Sequence, residues 1–183
     1  ELKAFRVPVL ILSGGEPLYQ LDFAWAVLRL AKIEGLHTCV DTSGCMGFDA
    51  LDRVREMVDL FLFDVKDTNA ARHLAHTGLA AEPILAGLRR LHAAGARIRI
   101  RVPIVPGCTD FDDNAEGLAR LLAQLPKIEA VELMPYHPLG LGKLERLGLE
   151  RRIAPEIGPP SRERLAWWAK TLAGAGVRIV GGS

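Results

Sequence analysis

Short apolar runs alternate with stretches of helical periodicity along the whole of this chain. The runs are Val7–Leu12, His37–Asp41, Leu60–Val65, Ala96–Val105, Ile128–Met134 and Val177–Val180. Each is rich in Val, Ile, Leu or Phe and reads as a strand. Between them, apolar residues recur every three or four positions: Leu21, Trp25 and Leu28; then Phe48–Met57; then Ile84, Leu85, Leu88 and Leu91; then Leu118, Leu121, Leu122 and Leu125. Pro83 stands where a helix can start, and Gly35 and Gly95 where helices stop. Ser161 is placed to cap a last helix carrying Trp167 and Trp168. Repeated β–α units demand a parallel sheet with right-handed crossovers, so the fold class is α/β. The first strand, all apolar, is expected to be buried on both faces. An open doubly wound sheet and an open portion of a β/α barrel both satisfy the pattern.

At 183 residues the chain is long enough for one domain with a real core, and residues 1–183 show no internal boundary. A net charge of +1 lacks the basic excess of a nucleic-acid binder. No apolar run is long enough to span a bilayer, so neither nucleic acid nor membrane is an expected partner. Three cysteines, Cys39, Cys45 and Cys108, are too few for a disulfide framework and suit a reducing cytoplasm. Cys39 is expected in the core and the other two in loops. Their spacing matches no metal-binding pattern, so no metal is assigned to them. The chain has no initiator Met and enters its first strand at once, which is expected of a natural start lying upstream.

Polar residues cluster just past the strands. Ser13-Gly14-Gly15-Glu16-Pro17 follows the first, and Asp41-Thr42-Ser43-Gly44 the second. Asp64-Val65-Lys66 ends the third, Arg101 lies on the fourth, and Pro135-Tyr136-His137 closes the fifth. In both candidate architectures ligands bind at the carboxyl ends of strands. Gly14 and Gly15 let backbone approach a ligand closely. Glu16 and Asp41 suit an ammonium, and Lys66 and Arg101 a carboxylate, so the set fits a zwitterionic amino acid. His137 suits hydrogen bonding or stacking on a purine. Each signal has a plainer reading alone. Gly-Gly is commonly a turn, Asp41 a helix cap, Asp64 and Lys66 a surface ion pair, and the Arg97, Arg99, Arg101 alternation a solvated sheet edge. The joint placement at strand ends is what points to a site.

The order and wording of these segments resemble the radical S-adenosylmethionine enzymes that activate glycyl-radical proteins, close to pyruvate formate-lyase activating enzyme. The likeness rests on SGGEPL at Ser13–Leu18, GLHTCVDTSG at Gly35–Gly44 and DLFLFDVK at Asp59–Lys66. It continues through HTG at His76–Gly78, EPIL at Glu82–Leu85, RVPIVPGCTD at Arg101–Asp110 and VELMPYHPLG at Val131–Gly140. The resemblance implies a partial (βα)6 TIM-like barrel of the radical SAM type, lacking its first βα unit here. It implies that Gly14, Gly15 and Glu16 hold the amino group of S-adenosylmethionine, with Asp41 near the same moiety. Asp64, Val65 and Lys66 would contact the cofactor, Lys66 toward its carboxylate, and Arg101 and His137 would add two further contacts. A monovalent cation between Asp41 and Asp64 is also implied. The implied partners are a glycyl-radical enzyme as protein substrate and flavodoxin or a similar electron donor.

One departure stands out. The family holds a [4Fe–4S] cluster on a CxxxCxxC loop that precedes Gly-Gly-Glu, and no such motif occurs in this sequence. This polypeptide is therefore expected not to generate the 5′-deoxyadenosyl radical, whereas a parent protein carrying the loop would. Two other readings fit the same residues: a non-catalytic cofactor-binding or docking module, and an unrelated β/α-barrel lyase using Lys66 as a Schiff-base or base residue. An uncovered first strand is expected to promote self-association.

Overall fold

The computed structural model describes residues 9–137 and 157–182. The expected loop from Pro138 to Pro160 falls largely outside them. Six strands form one sheet: β1 (Val9–Leu12), β2 (His37–Thr42), β3 (Leu60–Asp64), β4 (Ile98–Ile104), β5 (Ala130–Pro135) and β6 (Ile179–Gly181). All five pairings are parallel, and the spatial order equals the sequence order. A doubly wound sheet reverses its order at a switch point, so this sequential order excludes it. Right-handed crossovers in one direction put every helix on the same side of the sheet. The result is an α/β partial barrel wall, with β1 and β6 as its two edges among the described residues.

The helices are α1 (Leu21–Ile33), α2 (Phe48–Arg55), α3 (Ala70–Thr77), α4 (Ala81–Ala93), α5 (Asp112–Ala123) and α6 (Arg162–Ala173). Pro83 lies in the first turn of α4, where its missing N–H costs no helical bond. Ser161 caps α6 by accepting from the Arg164 N–H at 3.1 Å, as the sequence predicts. Helix α3 is additional to the elements expected from sequence. It is only eight residues long, and its one buried side chain, His73, is polar, so it carries no apolar period.

Period-two alternation divides the sheet into two faces. On β4, Ile98, Ile100, Val102 and Ile104 are buried against the helices, while Arg99, Arg101 and Pro103 face the other way. The arginines therefore sit on a central strand and line the barrel interior, not a solvated edge. Strand register places Asp64, Arg101, Glu132 and Val180 in one interior row. Asp41, Leu62, Arg99 and Ala130 form the row beneath. The expectation for the first strand is corrected. Among the described residues β1 pairs with β2 alone, and Ile11, on the interior face, is 54% exposed.

Candidate functional site

The loop after β1 bends into a short 3-10 turn, Pro17–Gln20, that begins at Glu16. The Glu16 carboxylate accepts from the Leu18 N–H at 3.2 Å and the Thr42 hydroxyl at 2.8 Å. It also accepts from the Ser43 N–H at 3.0 Å and the Ser43 hydroxyl at 2.8 Å. Its side chain is thus committed to joining the β1 and β2 loops, and what this segment offers a ligand is backbone. A Cβ added at Gly14 or Gly15 would meet no atom within 4 Å, so the two glycines leave open space beside that backbone.

Asp41, at the end of β2, accepts from the Ser13 hydroxyl at 2.8 Å and pairs with Arg101 Nη1 at 2.5 Å. Lys66 Nζ donates to Asp64 Oδ2 at 3.0 Å. Arg101 Nε lies 3.8 Å from Glu132 Oε2. Burial alone would lower the Arg101 pKa. The hydrogen bond to Asp41 and the charges of Asp41, Asp64 and Glu132 more than offset that, and the value rises above the ordinary one. Val65 is buried in the core, and its N–H donates to the Arg101 carbonyl at 2.9 Å. His137 is exposed just past the end of β5.

Part of this set lines a cavity of about 340 Å³, whose wall includes Gly14, Gly15, Asp41, Asp64, Lys66 and Arg101. Thus six of the nine residues singled out in the sequence share one wall, joined by Ser13, Thr42 and Ser43. A larger cavity of about 790 Å³ opens beside it and shares Ser43, Asp64 and Lys66. Leu79, Ile84, Pro103 and Val105 give that second space an apolar lining, with His73, His76 and Cys108 among its polar atoms.

Glu132 borders the candidate site through Arg101 and is not singled out by the sequence reading. Its signal was the alternation of Ala130, Glu132 and Met134 on β5, which puts all three on one face. The serines and threonine at the strand ends were equally visible but carry no charge.

The amino-acid end of a zwitterionic ligand fits this wall, which supplies carboxylates, cations and open backbone within one small space. An iron–sulfur cluster does not fit the cysteines present. Cys39 is buried in β2, Cys45 and Cys108 are partly exposed in separate loops, and no group of three or more metal-ligating side chains occurs among the described residues. A Schiff-base role for Lys66 is also disfavoured. Such a lysine needs a desolvated pocket, and the Lys66 side chain is 37% exposed and ion-paired.

Comparison with known proteins agrees with the fold. Residues 1–122 match the model of the Radical SAM superfamily. The chain belongs to the radical SAM superfamily. It is 35% identical over 156 residues to the trans-4-hydroxy-L-proline dehydratase activating enzyme of Clostridioides difficile, covering 84% of this chain and 51% of that protein. It is 35% identical over 162 residues to the pyruvate formate-lyase-activating enzyme of Clostridium pasteurianum, covering 87% and 68% respectively. The chain therefore spans about half the length of the first of these radical SAM relatives. Among solved structures, a domain of pyruvate-formate lyase-activating enzyme from Bacteroides vulgatus superposes with a TM-score of 0.79 at 26% identity, covering 95% of this chain and 98% of that one. The radical SAM barrel is thus the fold of this chain. No helix of the described residues is long and apolar enough to cross a membrane.

Proposed function

We propose that this chain is the S-adenosylmethionine-binding core domain of an activase that installs a glycyl radical on a partner enzyme. The observation that carries the reading is the two-signed wall at the strand ends: Asp41 and Asp64 against Lys66 and Arg101, beside the open backbone of Gly14 and Gly15. In this reading the ammonium of the methionine moiety lies toward Gly14, Gly15 and Asp41. Its carboxylate lies toward Lys66 and Arg101, and His137 contacts the adenine. Glu16 and Val65 act through backbone and loop placement. When bound and reductively cleaved in the complete enzyme, S-adenosylmethionine supplies the radical that takes a hydrogen atom from a glycine Cα. The larger apolar cavity, reached past Lys66, suits a segment of the protein substrate with small side chains.

The relatives named as activating enzymes support this class of reaction. A glycyl-radical enzyme as substrate, flavodoxin or a similar electron donor, and a cytoplasmic setting belong to the same proposal. The polypeptide as it stands is proposed to hold no [4Fe–4S] cluster, because its three cysteines lie apart. Anaerobic reconstitution with iron and sulfide, followed by EPR, tests this. No stoichiometric reduced-cluster signal is expected from this chain, and one that responds to S-adenosylmethionine would overturn that part. For the activase reading, a longer gene product carrying CxxxCxxC should produce a glycyl-radical EPR signal on its partner. A cluster-loaded, cofactor-cleaving protein that radicalises no glycyl-radical enzyme would refute it.

A further inference from the structure

We infer that Asn114 is a positioning residue that sets the backbone of Lys66, and through it the recognition of the cofactor's carboxylate. The inference rests on the binding reading above. Asn114 is the third residue of α5, is 1% exposed, and lies beyond the wall that would touch a ligand. Its Oδ1 accepts from the Thr68 N–H at 2.9 Å and the Thr68 hydroxyl at 3.1 Å. Its Nδ2 donates to the Thr109 carbonyl at 2.9 Å and the Lys66 carbonyl at 3.3 Å. Two donors face the oxygen and two acceptors face the nitrogen, so only one orientation of the amide satisfies all four groups.

One side chain thereby stitches the loop after β3 to the loop after β4. Thr109 is itself fixed: its hydroxyl donates to the Pro103 carbonyl at 2.6 Å and accepts from the Val105 N–H at 2.9 Å. The other flanks of Lys66 are equally held. Before it, the Val65 N–H donates to the Arg101 carbonyl at 2.9 Å. After it, Asp67 is buried and accepts from Arg72 Nε at 2.7 Å and from the Asn69 N–H at 2.8 Å. Gly117, one turn further along α5, lets Thr68 approach: a Cβ there would stand 2.2 Å from the Thr68 hydroxyl oxygen. The backbone on both sides of Lys66 is thus held by hydrogen bonds, as expected of a preorganised binding cation.

Isothermal titration of the full chain with S-adenosylmethionine and with its decarboxylated analogue separates this role from a merely structural one. Wild type should favour the carboxylate-bearing ligand by roughly tenfold or more, the size of one well-placed charged hydrogen bond. Asn114→Ala should compress that preference while binding of the decarboxylated analogue changes little. Lys66→Met should reduce the preference to what Arg101 alone supplies, and adding Asn114→Ala to it should cost nothing further. Circular dichroism reports whether each variant is folded. If Asn114→Ala does not fold, Asn114→Asp serves: it keeps both acceptor bonds to Thr68 but points an oxygen at the two carbonyls. A folded variant with the wild-type preference overturns the inference while leaving the binding reading intact. Equal affinity of wild type for the two ligands, or no binding of either, removes the reading and the inference together.

Discussion

Arg101 Nη1 stands 2.5 Å from Asp41 Oδ2, although β3 lies between their strands. The pair crosses the barrel interior diagonally, from one row of inward side chains to the next. Both side chains are less than one-fifth exposed, and Glu132 flanks the guanidinium on the far side. Arg101 therefore stays charged, and the interior holds a fixed cation between two carboxylates. A zwitterionic ligand entering here meets a charge pattern already in place, without reorganisation.

Replacing Asp41 by Asn removes the carboxylate toward which the ammonium is proposed to be drawn and leaves Arg101 with the charges of Asp64 and Glu132. Affinity for S-adenosylmethionine is expected to fall by roughly tenfold or more, the equivalent of about 1.5 kcal/mol. Calorimetric titration of a variant shown to be folded measures it. Undiminished affinity would remove Asp41 from the site.

Gly117→Ala pits two effects of known size against each other. Alanine in a helix interior gains roughly 0.5–1 kcal/mol over glycine. The new Cβ would press to 2.2 Å from the Thr68 hydroxyl oxygen and 3.0 Å from its Cβ. Overpacking of this kind costs about 1–3 kcal/mol, so net destabilisation is expected. Thr68→Ala in the same chain should recover part of the loss. Urea unfolding of both variants decides; a stabilised Gly117→Ala protein would contradict the packing described.

Acid stability should depend on Asp59. Burial would raise its pKa, but hydrogen bonds from Lys32 and Thr38, with the Lys32 charge, hold it below the usual carboxylate value. Lys32 Nζ lies 2.6 Å away, and the Thr38 N–H donates at 2.8 Å. The folded value is the lower one. Stabilisation is therefore full above the unfolded value, near pH 4, and is lost as pH falls through the folded value. Asp59→Asn should be less stable than wild type at neutral pH, and the difference should shrink on acidification below about pH 4. Parallel denaturation curves of equal separation at every pH would refute the assignment.

Helix α1 shows two apolar stripes. Ala24, Leu28 and Ala31 are buried, whereas Phe23, Leu30 and Ile33 are exposed, with Tyr19 in the preceding turn and Ile11 on the edge strand. A strand edge left without a second partner among the described residues, beside an apolar stripe, favours association of this polypeptide. Light scattering should show a mass that grows with concentration, and Phe23→Glu with Leu30→Glu should restore the monomer. A wild-type chain that stays monomeric throughout would count against it.

Much of this was legible in the sequence because parallel strands leave a strong mark. Short, mostly apolar runs point to all six strands, and charged residues just past them point to the wall of the candidate site. The errors have physical causes. Composition cannot distinguish a central strand from an edge, so the Arg97–Arg101 alternation reads equally well as a solvated edge, and the apolar β1 reads as buried on both faces. Glu16 reads as a ligand-facing acid, but only folding reveals that Thr42 and Ser43 consume its carboxylate. Asn114 gave no signal at all. An asparagine in the first turn of a helix is ordinary until the loops from two other strands close around it.

Binding of S-adenosylmethionine at the strand-end wall is tested by titrating the isotope-labelled chain and following its amide NMR shifts. Saturable one-to-one binding is expected, with the largest shifts at Gly14, Gly15, Asp41, Ser43, Asp64 and Lys66, and a weakened response in Lys66→Met. No saturation, or shifts centred away from these strand ends, would contradict it.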